Sequence, residues 1–252
     1  MERLDKLSEN LDSPERIHFI RSQIEHKKSL KAWYRENYEK FAQVVSRTPS
    51  EGLILEIGSG GGFIKDVLPE TKTSDVLAYD GVDFQVDATR MPFDSDSLRA
   101  IFMLNVFHHI PDVGAFLREC ERCLLPGGRV FIVDQYPGYI GKTIYRHFHH
   151  EPFAADAKDW SFDSTGALSS ANGALAWIVF ERDRQKFQEL YKDLRIARIQ
   201  PHTPLRYWLT GGLKDWSLLP ESFFPTATGI DAMLLKVSPK FGSFVDIELE
   251  KR

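Results

Sequence analysis

Cysteine is scarce: Cys120 and Cys123 are the two in 252 residues, too few for the disulfide framework of a small secreted protein. They form a C-x-x-C with no second cysteine pair to complete a zinc site. Apolar residues recur at helical spacing across 113–125, so both thiols are expected to pack in a core rather than do redox chemistry. No apolar run approaches the roughly 20 residues that cross a bilayer. The charged N-terminus lacks the apolar stretch of a secretory signal. These absences point to a cytoplasmic chain with no transmembrane segment. A basic excess is missing too. Thirty-two Lys and Arg against 36 Asp and Glu leave a net charge of −4, which gives no electrostatic case for nucleic acid. Lys27, Lys28, Lys31 and Arg35 cluster, but they alternate with apolar residues and read as a solvated helix face.

There are no internal repeats, and the length suits one large α/β unit with decorations. Residues 1–49 read as a helical cap. Ser13-Pro14-Glu15 is a helix start, and Ile17, Ile20, Ile24, Leu30, Trp33, Tyr34, Tyr38 and Phe41 form an apolar stripe. The period then changes. A buried parallel strand is predicted over 53–57, a weak helix over 64–68, and strands over 71–74, 82–86, 98–107 and 129–133. An amphipathic helix spans 112–125, and Pro126-Gly127-Gly128 turns out of it. Strands alternating with helices imply a doubly wound, mostly parallel sheet. After Asp134 the alternation fails, and 137–193 reads as an insertion or lid. Beyond it come a strand at 194–200, helical patches over 215–239 and a final strand at 243–250. The apolar patch 216–224 is expected to pack as helical core. The division is thus 1–49 cap, 50–136 ligand-binding core, 137–193 insertion and 194–252 completing the sheet.

The most informative segment is Glu56-Ile57-Gly58-Ser59-Gly60-Gly61-Gly62. Glycines directly after a buried strand let the backbone turn tightly and approach a ligand at the carboxyl edge of the sheet. A dinucleotide fingerprint, G-x-G-x-x-G, would need glycine at position 63, which is Phe63. The pattern present is E-x-G-x-G-x-G, with an acid two residues before the first glycine. An acid there is unhelpful beside a pyrophosphate, but it suits a ligand with a cationic amino group and a sulfonium.

This segment resembles motif I of the class I S-adenosylmethionine (SAM)-dependent methyltransferases, and later features follow in the family's order. Asp87-Ala88 with Met91-Pro92-Phe93 resembles the "D-A…L-P-F" stretch of the type 11 subgroup. The 98–109 segment resembles its strand four with a terminal histidine pair, and 123–130 its "L-x-P-G-G-x-V" entry to strand five. The resemblance covers about residues 50–136. It implies a Rossmann-like, seven-stranded sheet with an antiparallel last strand, SAM as cofactor and a small-molecule acceptor. Residue by residue, it implies that Gly58 and Gly60 line the methionine part and that Glu56 orients its ammonium. Asp87 and Ala88 would take the adenine, and Asn105 would sit beside the methionine moiety. An acid ending strand two should hold the ribose hydroxyls. Asp75 and Asp80 are both candidates; spacing favours Asp75, with Asp80-Gly81 as a turn. Too few residues remain for a helix between strands two and three.

Methyl transfer is chiefly a matter of alignment, so no motif has to name a base. Candidates for acid–base or acceptor-binding roles are His108, His109 and Asp134, with His202 weaker. His147, His149, His150 and Glu151 form an H-x-H-H-E tract whose spacing does not suit a helical chelate, so no metal is expected. The aromatics Trp160, Phe162, Trp177 and Phe180 suggest that the insertion has its own core. Two rival readings are a non-catalytic SAM-binding regulatory module and an NAD(P)-dependent oxidoreductase. The sequence leaves the acceptor and the oligomeric state open.

Overall fold

The computed structural model describes residues 13–148, 151–164, 166 and 170–252. The first twelve residues of the expected cap lie outside it. Helix α1, Pro14–His26, breaks at Lys27, where φ −99° and ψ 91° leave the helical region, and α2, Lys28–Val45, resumes. Leu30, Trp33, Tyr34, Asn37, Tyr38, Phe41 and Val44 recur every three or four residues on the buried side of α2.

That side lies on a seven-stranded sheet of order β3-β2-β1-β4-β5-β7-β6. The strands are β1 Leu53–Ile57, β2 Lys72–Asp75, β3 Phe84–Gln85, β4 Leu98–Leu104, β5 Leu124–Gln135, β6 Leu194–His202 and β7 Phe244–Lys251. The first five pair in parallel, and β7 runs antiparallel to both β5 and β6. Alternation along β4 sorts the two faces. Ala100, Phe102 and Leu104 face the cap, where the Phe41 ring stacks on Phe102 with centroids 4.6 Å apart and planes within 4°. Leu98, Ile101 and Met103 face the other layer. That layer starts with α3, Val113–Cys123, whose N-terminus is capped by Asp112 Oδ1 accepting from the Ala115 N–H at 2.9 Å. Cys120 and Cys123 are free thiols buried on it, as expected of packed cysteines. After β5 comes α4, Tyr139–His147. A helical turn, Leu175–Trp177, then passes through a π-turn, Ile178–Arg182, into α5, Arg184–Leu190. Phe180 and Phe187 of this run pack with Phe107 and Phe116. Of the expected insertion aromatics, Trp160 and Phe180 thus join the main core.

Four expectations need correction. The weak helix at 64–68 is a single 3-10 turn, Ile64–Asp66. The third strand shrinks to Phe84–Gln85 because the Asp83 carboxylate accepts from both the N–H and the hydroxyl of Thr73. A side chain there replaces a strand partner. The Pro126-Gly127-Gly128 turn does not precede β5 but lies within it. The register jumps from Leu98–Leu124 to Ala100–Arg129, and Gly127 takes φ +79°. Lastly, the 216–224 patch is only partly buried: Leu219 is covered, but Trp216, Leu218 and Phe223 are exposed ahead of α6, Phe224–Val237. The link between β2 and β3 has no helix, as the spacing implied. Among the described residues, no helix is long and apolar enough to cross a membrane.

If the stacked pair fastens the cap to the sheet, Phe41→Ala should lower unfolding free energy by about 3–5 kcal/mol, read from chemical denaturation. A loss under about 1 kcal/mol would contradict that role.

Candidate active site

The carboxyl ends of β1, β2, β4 and β5 gather most of the sequence-predicted residues. Glu56 is next to last on β1 and 2% exposed. Its Oε2 has no hydrogen-bond partner among the described residues. Burial pushes its carboxyl up to about 7, while the hydroxyls of Ser59 and Tyr38 hold it from rising further. Such a group has room for a donor or a cation and gains by meeting one.

The loop that follows is shaped by its glycines, but not all of them serve the same end. Gly58 has φ +68°, and a Cβ there would stand 2.5 Å from Val106 Cγ2. Gly60 has φ +49° and donates its N–H to Asp75 Oδ2 at 3.1 Å. Gly61 and Gly62, by contrast, admit the cap: a Cβ on either would strike the backbone of Arg21 in α1 or the Tyr38 hydroxyl. Phe63 closes the loop edge-on to Tyr38, ring centroids 5.1 Å apart, with Lys31 and Arg35 above its ring. Beyond it stands only the 3-10 turn. The helix N-terminus that receives a pyrophosphate in dinucleotide sites is therefore missing here, among the described residues.

Asp75 ends β2 as the spacing implied, whereas Asp80 lies exposed in the following turn. The Asp75 carboxylate accepts from the N–H groups of Gly60 and Leu77 and from the Tyr79 hydroxyl. Burial raises its pKa while those donors oppose the rise. Since a carboxylate offers about four acceptor directions, Asp75 can still take a further donor. Asp87 is exposed, and its Oδ1 accepts from the N–H and the hydroxyl of Thr89. Ala88 beside it is buried. The Met91-Pro92-Phe93 segment is tied to α3, where Arg122 donates to the Met91 and Phe93 carbonyls and Glu119 accepts from the Met91 N–H. Asn105 follows β4 in the left-handed region at φ +57°, with its Oδ1 buried and unpartnered among the described residues. A non-glycine residue held so is a strained position, which the surrounding packing must enforce.

A second cluster adjoins the ends of β4 and β5. His108 and His109 form a 3-10 turn with Phe107. His108 Nδ1 lies 2.7 Å from Asp134 Oδ1, and its Nε2 lies 3.2 Å from Glu151 Oε2. Burial alone would lower the His108 imidazole, but the Asp134 and Glu151 carboxylates outweigh it and hold it at about 10. His109 goes the other way, to about 4, through burial and its charged neighbour. Asp134 is fully buried one residue before the end of β5, and its Oδ1 also accepts from the Gln135 N–H. Glu151 is the member that sequence reasoning placed elsewhere. It meets His108 and His109; of the H-x-H-H-E tract, His149 and His150 lie outside the described residues. His202 is buried 3.0 Å from Asp246 Oδ1, in a structural network that includes Lys40.

Residues 55–132, from β1 through most of β5, match the model of the methyltransferase domain family. Curated relatives align over about a third of the chain. The ubiquinone/menaquinone biosynthesis C-methyltransferase UbiE of Desulfotalea psychrophila is 34% identical over 80 residues, covering 31% of this chain and 32% of that protein. A ubiquinone biosynthesis O-methyltransferase of Caulobacter vibrioides is 28% identical over 107 residues, covering 34% of this chain and 42% of that one. The chain thus spans a third to less than half of the length of these relatives. In overall fold it is similar to the geranyl diphosphate C-methyltransferase of Streptomyces coelicolor A3(2), crystallised with Mg2+, geranyl diphosphate and S-adenosyl-L-homocysteine. That likeness has a TM-score of 0.50 at 15% identity, over 88% of this chain and 82% of that one.

The Glu56 environment has a measurable consequence. Its folded-state value of about 7 lies above the ordinary 4.5, so the native state favours the protonated acid. The stability this gives is present below about pH 4.5 and is lost as pH rises through 7. Glu56→Gln should therefore stabilise the ligand-free protein at pH 8, by up to about 3 kcal/mol, and do little at pH 5. Chemical denaturation at both pH values checks this; equal effects at the two would contradict a desolvated carboxyl.

Proposed function

We propose that this chain, whose residues 55–132 carry the class I SAM-dependent methyltransferase domain, moves the methyl group of SAM to an oxygen or nitrogen of a small or medium-sized acceptor. The observation that carries the reading is the buried, incompletely bonded Glu56 carboxylate directly before the positive-φ glycines Gly58 and Gly60. A cationic amino group meets there the one charge the loop supplies, and the missing helix N-terminus disfavours the NAD(P) alternative.

The cofactor supplies an activated methyl on a sulfonium that leaves readily. The chain's part is to bind and align. Glu56 holds the ammonium, and the bare backbone of Gly58 and Gly60 lets the methionine portion lie close. Asp75, fixed against the loop by Gly60, offers its remaining acceptor capacity to the ribose hydroxyls. Asp87 and Ala88 border the adenine, and Asn105, whose buried Oδ1 has no partner among the described residues, sits beside the methionine moiety. The acceptor lies between the ends of β4 and β5 and the 137–193 segment, which shields the methyl from water as a lid. Orientation of this kind is worth up to roughly 7–11 kcal/mol in favourable cases. His108, His109 and Asp134 border that space and are the candidates for positioning the acceptor. The two curated relatives methylate different atoms, carbon in one and oxygen in the other by their names, which supports reading the likeness to them as one of the donor side.

Isothermal titration with SAM, followed by transfer of labelled methyl across a panel of hydroxyl and amine acceptors, tests this. Asp87→Ala, at an exposed position, and Gly58→Val, which forces a side chain against Val106, should each weaken SAM binding at least tenfold. Unchanged affinity in both would contradict the site. Normal SAM affinity with no turnover on any acceptor would replace the enzyme with a SAM-binding regulatory module.

A further inference from the structure

We propose that His108, His109 and Glu151 bind one divalent transition-metal ion of the zinc or ferrous class beside the carboxyl ends of β4 and β5. The three residues each bring one donor atom into a common space, all within 4.8 Å of one another. His108 Nε2 stands 3.2 Å from Glu151 Oε2, and His109 Nε2 stands 3.6 Å from Glu151 Oε1. Two ligand atoms each about 2.1 Å from a shared ion, at tetrahedral or octahedral angles, stand about 3.0–3.4 Å apart. The His108 separation falls within that span and the His109 separation exceeds it by about 0.2 Å, so each histidine can share an ion with the carboxylate after a small side-chain adjustment.

The far sides of both rings are what separate this cluster from a chance meeting of polar groups. His109 Nδ1 lies 3.0 Å from the Ser170 carbonyl oxygen. A carbonyl only accepts, so Nδ1 carries the proton and Nε2 keeps its lone pair. His108 Nδ1 is held in the same way by the buried Asp134 carboxylate. Metal-binding histidines are oriented by such partners, a carboxylate or a backbone carbonyl behind each ring. Gln135 adds a third support, its Nε2 donating to Glu151 Oε2 at 2.9 Å. The Asn172 N–H donates to the His108 carbonyl and fixes the turn that carries both histidines.

The donor set selects the ion. Two imidazoles with one carboxylate are the ligands of catalytic zinc and of non-haem ferrous sites, which leave positions open for water or substrate. Magnesium and calcium require more oxygen donors than the cluster offers. With no ion, a proton on His108 Nε2 can join that ring to Glu151, so the same lone pair is contested by proton and metal. The chain order hides the site, because Glu151 reaches the histidine pair from the far side of α4.

The test uses tag-free protein stripped with EDTA and titrated, without SAM, with Zn2+ by calorimetry and with Co2+ by visible absorption. One equivalent of each should bind, with ligand-field bands for Co2+, and Mg2+ should bind at least a hundredfold more weakly. His109→Ala and Glu151→Gln should each weaken Zn2+ binding at least tenfold while keeping the native circular dichroism. His147→Ala, on α4 outside the cluster, should bind as the wild type does. Absence of stoichiometric binding by the wild type would overturn the proposal. So would equal affinity in the wild type and both ligand variants. Should a ligand variant not fold, the wild-type Co2+ spectrum decides alone. Each of these results is independent of SAM binding, so failure here leaves the methyl-transfer reading standing.

Discussion

A carboxylate kept out of water at the end of β1 is the constraint on which the site depends. Glu56 is ringed by the apolar sheet, the glycine loop and the tyrosines of α2, and its raised pKa records how poorly those surroundings solvate a charge. Desolvation of that kind makes an isolated protein less stable near neutral pH and makes a bound cation correspondingly more favourable. The cap is part of the same device. Tyr34 and Tyr38 face Glu56, and α1 rests directly on Gly61. Loosening the cap would hydrate the carboxylate and bring its pKa back toward the ordinary value.

The sheet decides what else can stand near that charge. β1 and β4 are central neighbours, so Gly58 and Asn105 emerge side by side at their carboxyl ends, and both adopt positive φ. β2 adds Asp75, which reaches across to the N–H of Gly60 and fixes the loop from the other side. Toward β5 the charges change in kind. There His108 is flanked by Asp134 and Glu151, away from the glycine loop. The edge thus carries two buried carboxyl groups, Glu56 and Asp75, on the β1–β2 side and a histidine cluster on the β4–β5 side.

Much of this was legible in the sequence where period and punctuation are local. The strand at 53–57, the glycine loop and the helix capped by Asp112 each follow from neighbouring residues alone. The choice of Asp75 over Asp80 as the strand-end acid also followed from spacing. What was not legible involves side chains that substitute for backbone or arrive from afar. Asp83 shortens β3 by taking the Thr73 N–H, which no strand propensity encodes. Gly61 and Gly62 belong to the same glycine run as Gly58 and Gly60 but make room for α1 and Tyr38, a contact between distant segments. Glu151 lay next to histidines in the chain, and local spacing tied it to them rather than to His108 and His109. The exposed Trp216 and Leu218 had the composition of core and lack the helix that would have buried them.

The most direct measurement is a crystal structure with S-adenosyl-L-homocysteine soaked in at pH 8. The amino group should lie within hydrogen-bonding distance of Glu56 Oε2, the sulfur between Gly58 and Asn105, and the ribose hydroxyls on Asp75. A ligand bound elsewhere, or one whose amino group leaves Glu56 without a partner, would contradict the claim that this buried carboxylate organises the site.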